Sequence, residues 1–161
     1  MSEQSGEVDF ALAAFVEDGA WQVRDIASPA YETIESLSHA LRHVSGEEGA
    51  VGMVAVDEDF FVIVRVDHTT TRVLLSDVTA ADEWELAQSA IDFLGPPPPE
   101  DEDVEVPAGD LDLLGDLGLH ASDLGALLDD VELYPEEMLS EIARRLGFGE
   151  LFDDAVGLTS A

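Results

Sequence analysis

His39 and His43 stand four residues apart in a stretch of helical periodicity. Two imidazoles at that spacing on one helix face can share a cation. The zinc-protease pattern needs Glu directly after the first histidine, and Ala40 stands there instead. No further ligand-type cluster is tied to the pair by spacing, so the sequence favours two solvent-facing histidines and no metal. Asp110, Asp112, Gly115 and Asp116 resemble part of a calcium loop, but its fifth position is Leu114 and its twelfth is Ala121, not the required Glu. Asp57-Glu58-Asp59 reads as a solvated hairpin turn. The chain has no cysteine, which excludes disulfides, thiolate zinc sites and cysteine nucleophiles. It has no P-loop, no G-x-G-x-x-G after a strand and no G-x-S-x-G. The expectation is a protein with no catalytic residues, no metal and no cofactor.

Charge is the stronger signal. The 161 residues include 37 acids and only six basic residues, all arginine, for a net charge of −31. Such a surface repels phosphate backbones and anionic membranes and attracts basic proteins. The arginines are scattered, with only Arg144 and Arg145 adjacent, so no direct nucleic-acid binding is expected. The apolar fraction of 46% is that of an ordinary folded protein. The acidity therefore has two readings: the solvated surface habit of a salt-adapted or GC-rich organism, or a functional acidic face. Met1 to Glu7 has no positive charge to open a signal peptide. The apolar run Phe10 to Val16 is too short for a signal core or a membrane span, so a cytoplasmic protein is expected.

The elements that must position these residues fall into two blocks around a linker. Val8, Phe10, Leu12, Ala14 and Val16 alternate as a strand, Glu17-Asp18-Gly19 is a turn signal, and Trp21 to Arg24 continue as a second strand. Ser28-Pro29 has the form of a helix start, with Tyr31, Ile34, Leu37, Leu41 and Val44 as the apolar stripe. Strands are predicted at Ala50–Val56, Phe60–Val66 and Arg72–Ser76. The second is apolar on both faces except at Arg65, which places it centrally. Thr79 and Asp82 resemble a capping box before a helix whose stripe is Ala80, Trp84, Ala87, Ile91 and Leu94. Trp21 and Trp84 both fall in apolar-periodic segments and read as core. The result is an α+β domain over residues 1–94, in the order ββαβββα that profilin-like and longin-like domains share.

Residues 95–109 form a linker of Gly95, Pro96 to Pro99 and the acids Glu100 to Asp103. Residues 110–161 read as a small helical domain. Leu111, Leu114 and Leu117 suit a short helix ending at Gly118, and Ser122 caps a second with Leu124, Leu127, Leu128 and Val131 inward. Pro135 opens a third, with Met138, Leu139, Ile142 and Leu146 as its stripe, Gly147 as its C-cap and Glu141 paired with Arg145. A last turn runs from Leu151 to Val156. This block is small for independent stability and is expected to pack on the first domain or on a partner.

These parts together resemble the actinobacterial tRNA adenosine deaminase-associated proteins. The resemblance rests on Phe60-Phe61-Val62-Ile63-Val64-Arg65-Val66, Val73-Leu74-Leu75-Ser76-Asp77, the acidic linker, Gly109-Asp110-Leu111-Asp112-Leu113-Leu114-Gly115-Asp116-Leu117-Gly118, Pro135, and Ile142 to Gly147. It spans residues 8–156, and its motifs are structural. The resemblance implies association with the enzyme that converts wobble adenosine to inosine in tRNA. The chain is not that enzyme. A zinc deaminase needs H-x-E and P-C-x-x-C elements; here cysteine is absent, and none of His39, His43, His68 and His120 is followed two residues on by Glu. The leading expectation is a non-catalytic accessory protein that presents an acidic face to a basic protein, a tRNA adenosine deaminase. The competing readings are an acidic nucleic-acid mimic or general adaptor unrelated to tRNA, and an enzyme whose site has no recognised motif. Acids are denser after the linker begins: 18 in residues 95–161 against 19 in the longer stretch 1–94. Asp110, Asp112, Asp116, Asp129, Asp130, Glu136 and Glu137 are therefore the candidate partner-binding residues.

Overall fold

The computed structural model describes residues 8–26, 33–44, 49–56, 60–67, 71–76, 85–94, 108–109, 113–115, 118–128 and 135–156. Strands β1 (Val8–Glu17) and β2 (Ala20–Asp25) form a hairpin closed by Asp18 and Gly19. Both turn residues have positive φ, 57° and 79°, as the two-residue turn that matches strand twist requires. After helix α1 (Ile34–Val44) come β3 (Ala50–Val56), β4 (Phe60–Val66) and β5 (Thr71–Leu75), then α2 (Glu85–Leu94) and a two-residue β6 (Ala108–Gly109). All neighbours pair antiparallel in one sheet of order β2-β1-β3-β4-β5-β6. The fold is α+β.

Cross-strand rows fix which residues share a face. Ala13, Gly52, Val64 and Val73 lie in one row, and Ala11, Val54, Val62 and Leu75 in another. Helices α1 and α2 cover this face with Ile34, Leu37, Leu41, Leu86, Ala87 and Ala90, all buried. Gly52 sets how closely α1 lies. A Cβ there would stand 2.9 Å from a Leu41 methyl carbon, so the glycine is space for the helix. Thr33 caps α1: its Oγ1 accepts from the Ser36 amide at 3.1 Å, and the Ser36 hydroxyl accepts from the Thr33 amide at 3.2 Å. The Ser28-Pro29 start, the Thr79–Asp82 box, Trp84 and the proline-rich run all lie outside the described residues.

The opposite face carries Leu12, Ala14, Val51, Met53, Ala55, Phe61, Ile63 and Leu74. Helices α3 (Ala121–Leu128), α4 (Pro135–Leu146) and α5 (Gly149–Val156) share a core with it through Leu124, Leu139, Ile142, Ala143, Leu146, Phe148 and Phe152. The helical segment within residues 110–161 thus supplies the second covering layer of the sheet. This explains the composition of β4: every one of its residues is buried because both faces are covered. Arg65 points toward this second layer, where its Nη1 donates to the Leu113 carbonyl at 3.1 Å. That bond ties the turn after β6 to the central strand.

Two local expectations shift. Helix α3 begins at Ala121, and the Leu124 amide donates to the His120 carbonyl at 3.0 Å. His120 therefore occupies the cap position and Ser122 lies in the first turn, exposed. In the second helix the buried residues are Leu86, Ala87 and Ala90, with Ile91 only partly buried.

Candidate protein-interaction surface

The outer surface of the second layer is built from α4 and α5. Pro135 opens α4, where a missing amide costs nothing, and Gly147 closes it at φ 115°. The Gly147 and Phe148 amides both donate to the Ala143 carbonyl at 2.9 Å. The turn seats Phe148 against Trp21, with ring centroids 4.7 Å apart. Trp21 is accordingly half-buried at the edge of the core. The Ser140 hydroxyl donates to Asp153 Oδ1 at 2.8 Å and locks α4 to α5. What remains outward is charged. Glu137, Arg144, Arg145, Glu150 and Asp154 are exposed, and Leu151 is an exposed large apolar side chain among them.

The two arginines on this surface share one carboxylate. Glu141 accepts from Arg144 and also from Arg145 Nε, at 2.8 Å in the second case. The Arg144 hydrogen bond, then that of Arg145, holds the Glu141 carboxyl below the ordinary glutamate range. The four-residue spacing predicts the Arg145 partner, and Arg144, three residues on, is a second neighbour on the same helix face. Of the predicted partner-binding residues, Glu137 is exposed on α4. Glu136 is part of the α4 backbone, and its side chain is outside the described set. Asp110, Asp112, Asp116, Asp129 and Asp130 lie outside the described residues altogether.

The first layer carries a feature that sequence reading did not find. An open cleft of about 320 Å³ lies where α1, α2 and the start of β5 meet, lined by Glu35, Ser38, His39, Arg42, Thr71 and Phe93. The Arg42 guanidinium donates to the Asp67 carbonyl at 3.3 Å and to Thr71 Oγ1 at 2.6 Å. Phe93 is exposed at its rim. At the outer edge of α1, His39 and His43 stand with their Nε2 atoms 3.1 Å apart. Among the described residues, no three or more His, Cys, Asp or Glu gather as a metal site, and no helix is long and apolar enough to cross a membrane.

The class this defines is an acidic α+β protein whose antiparallel sheet is covered by helices on both faces. The chain belongs to the Rv3753c-like tRNA adenosine deaminase-associated protein family, whose model matches residues 9–149. It is 38% identical over 144 residues to protein Rv3753c of Mycobacterium tuberculosis, across 88% of this chain and 83% of that protein. No solved structure matches it.

Proposed function

We propose that this chain is a non-catalytic accessory protein of a tRNA adenosine deaminase, binding a basic protein surface through an acidic face. The family description supports the partner. The observation that carries the mode of binding is the imbalance of 37 acids against six arginines. Of the six arginines, Arg65 is buried on the Leu113 carbonyl, while Arg24, Arg42, Arg72, Arg144 and Arg145 are exposed, so the surface excess of acids rests on the composition. An enzyme acting on tRNA must attract a polyanion and so presents basic surface. The acids of this chain are complementary to such a surface and accelerate encounter. The ββαβββα order of the first seven elements, shared with profilin-like and longin-like interaction platforms, adds weak support by analogy of element order. The contact is placed on the C-terminal segment, with Asp110, Asp112, Asp116, Asp129, Asp130, Glu136 and Glu137 as its charges. Both proteins act in the cytoplasm under this reading.

Calorimetric titration of the full chain into the deaminase, at low and at physiological salt, tests it. Binding should weaken steeply with salt, since exposed charges are screened over roughly 8–10 Å. Neutralising Glu136 and Glu137 to Gln together should lower affinity at low salt. Undetectable binding, or binding indifferent to salt, overturns the proposal. Adding tRNA separates an accessory factor, which stays bound, from a nucleic-acid mimic, which is displaced.

A further inference from the structure

We infer that His39 and His43 form a binding site for a late first-row divalent cation such as Ni²⁺, Cu²⁺ or Zn²⁺. The pair sits on the exposed side of α1, one turn apart, with Nε2 atoms separated by 3.1 Å and rings in an edge-on arrangement. A cation about 2.0–2.1 Å from each of two imidazole nitrogens sets them roughly 2.9–3.4 Å apart when the angle at the metal is about 90–110°. The observed separation falls inside that span, and a turn of the two exposed rings brings both lone pairs onto one cation. The helix fixes the backbone positions of the two imidazoles. Helix α1 is clamped by the Thr33–Ser36 cap at one end and by Leu37 and Leu41, both fully buried, on its inner face.

Without metal, one Nε2–H donates to the other ring's Nε2. Chelation requires the donating ring to carry its proton on Nδ1, which frees both Nε2 lone pairs. Water completes the coordination shell, since no third protein ligand group is assembled among the described residues. Two neutral imidazoles and waters suit borderline cations and not Mg²⁺ or Ca²⁺, which take oxygen donors. The electrostatics favour a cation. His43 lies in the last turn of α1, where the helix dipole is negative, and the net charge of the chain is −31. Glu35 lies one turn before His39 on the same stripe. The neighbouring positive group, Arg42, is drawn by its hydrogen bonds toward Asp67 and Thr71.

The test is calorimetric titration of the full chain with Ni²⁺ and with Zn²⁺, in excess Mg²⁺ to occupy carboxylates. The expected result is one saturable step per chain. His39→Gln and His43→Gln should each weaken it at least about tenfold, the scale on which disturbing a metal's ligand shell is felt. His120→Gln, at an exposed histidine on the other layer, should leave it unchanged. Thermal melting of each variant checks folding; all three should melt with the wild type, because these side chains are exposed. Absence of a saturable step overturns the inference. So does a step that survives either substitution in the pair, or one lost equally in the His120 variant.

Discussion

At the scale of single residues, Glu141 shows how one carboxylate can hold two arginines. Its two arginine partners lower its pKa, the Arg144 hydrogen bond contributing most. The sign follows: a carboxyl with a folded pKa below its unfolded value stabilises the fold above the ordinary glutamate range. That contribution is lost as pH falls through the lower, folded value. Glu141→Gln should therefore melt slightly below wild type at neutral pH, with the gap closing under acid conditions. The effect is small, because exposed pairs are well screened. A gap that widened as pH fell, read by thermal melting across a pH series, would contradict the assignment. The pairing with Arg145 was legible from sequence because four-residue spacing on a helix is geometry. The contact between His39 and His43 was only half legible. Spacing put both on one face, but a 3.1 Å approach depends on rotamers that spacing does not set.

At the scale of elements, the strands were the readable part. The continuous apolar run of β4 reflects direct burial, whereas β1, read as alternating, is buried on both faces from Ala11 to Phe15. Helix starts were less readable, because several polar residues compete for each cap. Ser122 satisfies the rule for a cap as well as any residue, yet the cap lies two residues earlier at His120, whose backbone carbonyl accepts the first bond as any residue's could. Gly52 was invisible for a different reason: its role is set by Leu41, eleven residues earlier on α1. Because a Cβ at position 52 meets Leu41 at 2.9 Å, Gly52→Val should force α1 outward and cost about 1–3 kcal/mol. Leu41→Ala opens space at the same point, at a cost of its own of about 2–5 kcal/mol. The double variant should then be less destabilised than the sum of the two single variants, since the new methyl groups occupy the room left by leucine. Denaturant melts of the four proteins measure this; strict additivity would mean that the glycine is not there to admit the helix.

At the scale of the whole molecule, the question is whether residues 1–94 stand alone. Composition divides the chain at four prolines and a run of acids, which argues for two bodies joined by a linker. Packing argues the other way. Leu12, Met53, Phe61, Ile63 and Leu74 share one core with Leu139, Ile142, Phe148 and Phe152, and Trp21 on β2 closes over Phe148. The sequence already held the clue, since β4 is apolar on both faces and a sheet with one wet face would alternate. What it could not give is which segment supplies the second cover: contacts between β4 and α4 join residues that no local pattern relates. Removing residues 95–161 strips that cover and leaves a wide apolar face in water, well beyond the isolated apolar residues that monomers tolerate. A chain ending at residue 94 is therefore expected to self-associate or to lose its cooperative melt, and loss of deaminase binding by it would say nothing about where the contact lies. Sedimentation and thermal melting of that fragment decide the matter. A monomer with a sharp transition would establish two independent bodies and return truncation to use as a map of the acidic contact; an aggregated or molten fragment leaves paired charge substitutions on the intact chain as the means of locating it.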